Sequence, residues 1–403
     1  MGQTPFTFAG ASGAPVKVYR SLSNRDAPID VESEDSKMSE CYRPTRREML
    51  RGLASLALVA ALSGRGSAFA RRDEIEMLVL GDSLIWGQGL REEEKFYFLT
   101  KRWLEEDVFK GNGRVRLTVK AHSGSTIKLD PAEQAALERG NRSPFEELHP
   151  EVNVSFPTIE KQLRTAHSEH SDPASVDLIM LSGGIPDVGV AKIINPLESN
   201  RRLRERIDLY CRRHMGELVS EAAAKFPNSL IIIIGYYPII TRHSPMKRIV
   251  NDKMELYSVP GWAKPPINNP ATRAIWRLWR GKMIKRSRIW LEGSNAAFAS
   301  VVEGLNSSAG RERALFVPSP IDERTAFGTK NSLLFTVGRK GRPADAIGET
   351  RLRECPPALS ELRRDTRLKY STRFCELASV GHPNPKGSAA IAAAIQERLD
   401  PLL

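Results

Sequence analysis

The sequence predicts an α/β protein, a flavodoxin-like three-layer sandwich around a five-stranded parallel sheet and carrying two long insertions. Three observations predict it. Apolar runs of strand length recur along the chain, as in MLVL (77–80), VDLIML (176–181) and LIIII (230–234). Between them lie stretches whose apolar residues repeat at helical spacing. Strands alternating with helices imply a parallel sheet with crossover helices. The first run also stops abruptly at Gly81-Asp82-Ser83, and open sheets of this kind place ligands at the carboxyl ends of their strands.

Taken in order, residues 1–37 are rich in Gly, Ser, Pro and acidic residues and show no periodicity. They are a disordered extension or an artefact of start-site choice, since Met38 would give a signal peptide of normal length. Residues 38–70 read as a twin-arginine export signal. TRREMLRG carries Arg46 and Arg47, LASLALVAALSG is a short apolar segment, and Ala68-Phe69-Ala70 is a small-x-small cleavage site. A buried helix is the competing reading, opposed by the polar flanks and the terminal position. The mature domain is then 71–403, periplasmic or secreted. No apolar run reaches the length of a membrane span.

Within that domain the run ending at Leu80 is the first strand, and Phe96, Leu99 and Trp103 mark the helix after it. Residues 115–127 alternate apolar and polar as a second strand and reach Gly124. A helix is expected over 158–170, a buried strand over 176–190 that ends in glycines, and a long amphipathic helix over 202–225. Residues 230–240 and 314–321 supply the fourth and fifth strands, and Ile391, Ile395 and Leu399 mark a final helix. Two segments, about 241–290 and 322–380, are too long for ordinary connections; either could rim a substrate cleft.

The chain is 41% apolar and 27% charged, as soluble globular proteins are. Its formal charge is +12; removal of a leader with nine basic and seven acidic residues leaves about +10. Such a surface favours anionic partners, and after export those are phospholipid headgroups or acidic polysaccharide rather than nucleic acid. The run 271–290 places Trp276, Trp279 and Met283 on one helical face among Arg273, Arg277, Arg280 and Lys285. It can lie peripherally on a membrane or pack its aromatic stripe on its own domain. Cys211 shares an apolar helix face with Leu203, Ile207 and Leu218, which suits core packing. Cys355 and Cys375 are close enough in sequence to pair in an oxidising compartment.

Ser83 sits where a strand turns into a helix, a position that exposes its hydroxyl and favours developing negative charge. Gly-Asp-Ser is equally an ordinary turn. Near the other end, GHPNPKG (381–387) sets His382 among prolines at a helix entrance, held rigidly, as a base should be. GDSL (81–84), HSGST (122–126), Gly184-Ile185-Pro186-Asp187 and HPNPKG (382–387) resemble, in order, the four blocks of the GDSL-type esterases and lipases, also called SGNH hydrolases. The resemblance covers roughly residues 75–400. It implies a serine acyl-enzyme mechanism: Ser83 as nucleophile, His382 as general base, and the N–H groups of Ser83 and Gly124 as oxyanion donors.

Two departures accompany the resemblance. The family's third block reads G-x-N-D, and its asparagine is a third oxyanion donor; Pro186 occupies that position and has no N–H to give. The family places Asp three residues before the histidine, where this chain has Ser379. Either Glu376 or a backbone carbonyl would then orient His382. The expected activity is cleavage of carboxylic esters of acyl lipids or acylated glycans. Acyl transfer at the same site is an alternative, as is a degenerate protein that only binds an anionic glycan or lipid. No cofactor is implied. His167 and His170 lie one helical turn apart but lack the carboxylates or cysteines of a metal site, and no phosphate-binding glycine loop is present.

Overall fold

A computed structural model describes residues 74–129, 149–245, 270–338, 344–365 and 370–403. The extension and the twin-arginine segment lie outside the described residues. So do the side chains of Arg273 and Trp276.

Five parallel strands, β1 (Glu74–Gly81), β2 (Arg114–Val119), β3 (Val176–Ser182), β4 (Leu230–Ile234) and β5 (Ala314–Val317), form one sheet in the order β2-β1-β3-β4-β5. In register, Val79 pairs with Val119 on one side and Met180 on the other, Met180 with Ile232, and Ile232 with Leu315. β1, β3 and β4 are almost wholly buried, which is why they read as unbroken apolar runs rather than alternating ones. β2 is an edge strand with a half-exposed pattern, and its sequence alternates accordingly.

The strand order reverses direction at β1. Because parallel crossovers are right-handed, the helices after β1 cover one face and those after β2, β3 and β4 the other. On the first face α2 (Phe96–Trp103), following the one-turn α1 (Ser83–Trp86), packs against the final helix, Pro385–Leu399. On the second lie α3 (Ile159–Glu169), the short α4 (Ile185–Val188) and α5 (Val190–Ile193), α6 (Asn200–Ile207), α7 (Met215–Lys225) and α8 (Pro270–Ala309). A widened turn, Asp208–His214, joins α6 to α7 and carries the buried Cys211, which packs with Leu203, Ile207 and Leu218 in the core.

The basic segment 271–290 is not an element of its own. It is the first half of α8, a helix of 40 residues that crosses from β4 to β5. Met283 and Trp290 are fully buried and Trp279 is packed at the edge of the core, so the apolar stripe faces its own domain. Buried Arg286 donates to the carbonyls of Lys192 (2.7 Å), Ile193 (3.0 Å) and Glu198 (2.9 Å), which satisfies a cation that would be costly to bury unpaired. Arg277 and Lys285 remain exposed. Among the described residues no helix is long and apolar enough to cross a membrane.

The segment after β5 is more ordered than its weak periodicity predicts. α9 (Gly348–Asp365), α10 (Thr372–Glu376) and the last helix, α11 (Pro385–Leu399), follow one another. Cys355 and Cys375 form a disulfide between α9 and α10. It lies in a second small core with Val152, Val154, Phe156 and Leu359, so α9 and α10 are fastened to the loop at 149–156, while α11 packs into the main core.

Candidate active site

β1 delivers Ser83 to the carboxyl edge of the sheet through a turn that only glycine can begin. Gly81 has φ +141°, and a Cβ there would stand 2.3 Å from the carbonyl oxygen of Ser182. Its backbone is fixed on both sides by Gln162, which accepts from Gly81 N–H at 2.8 Å and donates to its carbonyl at 3.0 Å. Asp82 caps α1, accepting from Leu84 N–H at 3.1 Å, and also takes hydrogen bonds from Ser182 Oγ at 2.6 Å and from the Tyr236 hydroxyl. Burial pushes the Asp82 carboxyl up, and these three donors pull it back down. The carboxylate faces inward to hold the turn; Ser83 itself is buried, 6% exposed, and not the open hydroxyl that the sequence suggests.

The other half of the pair comes from the C-terminal loop. Residues 333–335 lie against 381–384: Phe335 N–H donates to the His382 carbonyl at 2.7 Å, Gly381 N–H to Phe335 at 2.9 Å, and Asn384 N–H to Leu333 at 2.9 Å. Asn384 caps α11, with its side chain accepting from Gly387 N–H and Pro385 opening the first turn. His382 is thereby clamped in backbone. Its Nε2 stands 2.7 Å from Ser83 Oγ, although 299 residues separate the two.

His382 is half-buried as a residue, and its Nδ1 is shut off from solvent. Burial lowers the imidazole to about 4, so it is neutral near pH 7 and free to accept a proton. The backbone carbonyls of Ala378 and Ser379 and the charge of Asp345 favour the protonated form, and Arg351 opposes it. Nδ1 makes no well-formed hydrogen bond with any described group.

The sequence-expected residues separate into those that meet and those that do not. Gly124, at φ +77°, lies in the loop after β2 against the backbone of Asn153, where a Cβ would come within 2.6 Å. The N–H groups of Ser83 and Gly124 are taken by no other described group. Gly184 caps α4 and Pro186 sits in its first turn, so the third block ends in a helix start that offers no side-chain donor. Asp187 is half-buried and accepts from Ile127 N–H at 3.1 and 3.2 Å. It ties the third block to the Gly124 loop, and burial pushes its pKa up to about 7.

Glu376 requires a correction. Its carboxylate pairs with Arg373 at 3.1 Å, one turn back on α10, and its backbone carbonyl accepts from Arg351 Nε at 3.2 Å. Of the two candidates for orienting His382, the side chain is committed elsewhere, while the carbonyls of Ala378 and Ser379 face the ring. His167 and His170 both pack edge-on to Phe226, and among the described residues no group of His, Cys, Asp and Glu could hold a metal ion.

Several residues of the site have no local sequence signal. Tyr236 and Ser182 hold Asp82, Gln162 holds Gly81, and Tyr237 donates its hydroxyl to the Gly381 carbonyl at 2.8 Å. Behind them runs a buried ion-pair chain, Glu151–Arg351–Asp345, with contacts of 2.8 and 2.6 Å. Trp86 Nε1 and Gln88 Nε2 donate to the same Glu151 carboxylate at 2.7 and 2.6 Å.

No family model and no curated protein matches the chain. Among solved structures it is similar to an extracellular lipase from Streptomyces rimosus, at 11% identity over 80% of this chain and 99% of that one, with a TM-score of 0.40. A phospholipase A1 from Streptomyces albidoflavus is 12% identical over 80% and 98% of the two chains, with a TM-score of 0.37. A carbohydrate acetylesterase from Sinorhizobium meliloti is 12% identical over 82% and 100%, also with a TM-score of 0.37. Identities this low leave the reaction to be argued from the residues themselves.

Proposed function

We propose that the protein is a serine hydrolase of the GDSL type that cleaves carboxylic esters. The observation that carries this reading is the 2.7 Å contact between Ser83 Oγ and Nε2 of a neutral, clamped His382. A serine hydroxyl becomes a competent nucleophile when a base accepts its proton. Ser83 Oγ attacks the ester carbonyl carbon as Nε2 takes the hydroxyl proton. The resulting oxyanion is received by the N–H groups of Ser83 and Gly124. Collapse breaks the carbon–oxygen bond to the alcohol, which leaves with the proton from His382. Water then repeats the sequence on the acyl-enzyme, giving the acid and free Ser83. A sugar hydroxyl in place of water would make the same site an acyltransferase.

Pro186 leaves the site one donor short. Loss of an oxyanion-hole donor slows such reactions by about 10²- to 10³-fold, which predicts a slow enzyme and not an inert one. A protein that only binds an anionic glycan or lipid is the reading that Pro186 and Ser379 favour. Hydrolysis of a panel of p-nitrophenyl esters by wild type and by Ser83→Ala separates the two. Turnover that disappears in the variant supports the hydrolase; equal rates in both would remove it.

The twin arginines and the Ala68-Phe69-Ala70 site support export to the periplasm or beyond, and the Cys355–Cys375 disulfide suits that oxidising compartment. Acylated lipid or glycan is the substrate class that the basic surface would meet there, and the exposed Arg277, Leu278 and Lys285 of α8 are the candidates for peripheral membrane contact.

A further inference from the structure

Ser379 stands three residues before His382, and its hydroxyl donates to Asp345 Oδ2 at 2.5 Å. The same carboxylate oxygen accepts from Arg351 Nη2 at 2.6 Å, and that nitrogen also reaches Ser379 Oγ at 3.2 Å. Ser379 is in turn bound to the histidine: its carbonyl accepts from His382 N–H at 2.9 Å. The Asp345 side chain is fully buried. Two buried polar atoms in this neighbourhood have no hydrogen-bond partner among the described groups, Asp345 Oδ1 and His382 Nδ1. One is an acceptor and the other is the ring position that must carry the proton if Nε2 is to receive one from Ser83.

A single guanidinium, Arg351, lies between two carboxylates, Asp345 and Glu151; at the imidazole Asp345 favours the protonated form and Arg351 opposes it. Lys95 approaches the far end, beside Glu151, but is itself paired with Glu92 at 3.1 Å. A carboxylate held in a dry pocket stabilises an imidazolium far more than the same charge in water.

We propose that Asp345 is the positioning acid of the Ser83–His382 pair, acting through Ser379, so that the carboxylate missing from position 379 is supplied by a segment 34 residues earlier. This rests on the reading of Ser83 and His382 as nucleophile and base. Arg351 and Ser379 clamp the carboxylate. The negative charge favours the Nδ1–H tautomer and the imidazolium formed when Nε2 takes the serine proton. Contacts of this kind tighten when substrate is bound, and the two unpartnered atoms leave room for that.

The test uses the full mature chain with ¹⁵N-labelled histidine. It compares wild type, Asp345→Asn, and the double variant Asp345→Asn/Ser379→Asp, which returns a carboxylate next to His382. The chain has seven histidines, so His382 is assigned with a His382→Gln variant. Asp345→Asn should lower kcat by about 10²-fold with little change in KM, within the range that general-base catalysis contributes. It should also redistribute the His382 ring nitrogens away from the Nδ1–H pattern at neutral pH. The double variant should recover at least about tenfold in kcat and regain the wild-type ring pattern. An unchanged ring pattern in Asp345→Asn would overturn the proposal, even with a lower kcat, because a structural role alone accounts for that. If wild type hydrolyses no ester but Asp345→Asn still shifts the tautomer, the proposal stands and the hydrolase reading fails.

Discussion

Tyr237 donates its hydroxyl to the carbonyl of Gly381 at 2.8 Å, tying the loop after β4 to the residue before His382. Its neighbour Tyr236 donates to Asp82, tying the same loop to the residue before Ser83. Two adjacent tyrosines just past β4 thus hold the two halves of the proposed Ser83–His382 pair. The bonds differ in worth, because Tyr236 serves a buried carboxylate and Tyr237 a neutral carbonyl. Tyr236→Phe should destabilise the fold by about 1.5–3 kcal/mol and Tyr237→Phe by about 1 kcal/mol. Urea unfolding of the two variants checks the order, and the reverse order would contradict it.

The pH profile follows from His382. Only the neutral imidazole accepts the serine proton, and burial lowers its pKa to about 4. The acid limb of kcat/KM, which reports the free enzyme, should therefore fall near pH 4. An unperturbed histidine would place it near about 6.5. Initial rates at pH 3.5–7, on enzyme shown to recover fully when returned to pH 7, decide between them.

Asp187 should make folding stability pH-dependent in the opposite sense. Its folded pKa is raised to about 7 by burial, above the unfolded value of about 3.9. The stabilisation is complete below the unfolded value and is lost as pH rises through 7. Asp187→Asn keeps an acceptor for Ile127 N–H and removes the titration. Relative to wild type, the variant should gain stability between pH 5 and pH 8, read from urea midpoints; an equal difference at both pH values would place the effect elsewhere.

Pro186→Asn restores a donor to the third block. If α4 keeps its start at Ile185, the new amide adds a hydrogen bond that strengthens as charge develops, so the gain belongs in kcat rather than KM. A rise of up to about 10²-fold is the expected ceiling for one donor. A fall in kcat with unchanged stability would show that the site is built around the proline.

Much of this architecture is legible in the chain because its signals are local. β1, β3 and β4 announce themselves as apolar runs, and the Gly81–Ser83 turn and the capped entrance to α11 are short motifs. What escapes notice depends on distant pairing. Tyr236 reaches Asp82 across 154 residues and Arg351 reaches Glu151 across 200, and no spacing rule connects them. The second half of α8 is rich in small and polar residues, so its helical period is faint, and the insertion read over about 241–290 stops halfway along the helix. In α9 the pair Pro356-Pro357 erases the local case for a helix. Glu376 was the acid nearest His382 in sequence, yet Arg373 lies one turn away and claims its carboxylate. Proximity along the chain was the wrong measure there.

The most direct test of the account is covalent capture of Ser83. Wild-type protein treated with a fluorophosphonate should gain one adduct, mapped by peptide mass spectrometry to the segment containing Ser83. Labelling should vanish in Ser83→Ala and slow by orders of magnitude in His382→Ala, because the hydroxyl then has no base. An adduct on another residue, or equal labelling of wild type and Ser83→Ala, would contradict the central claim that this serine and this histidine form a catalytic pair.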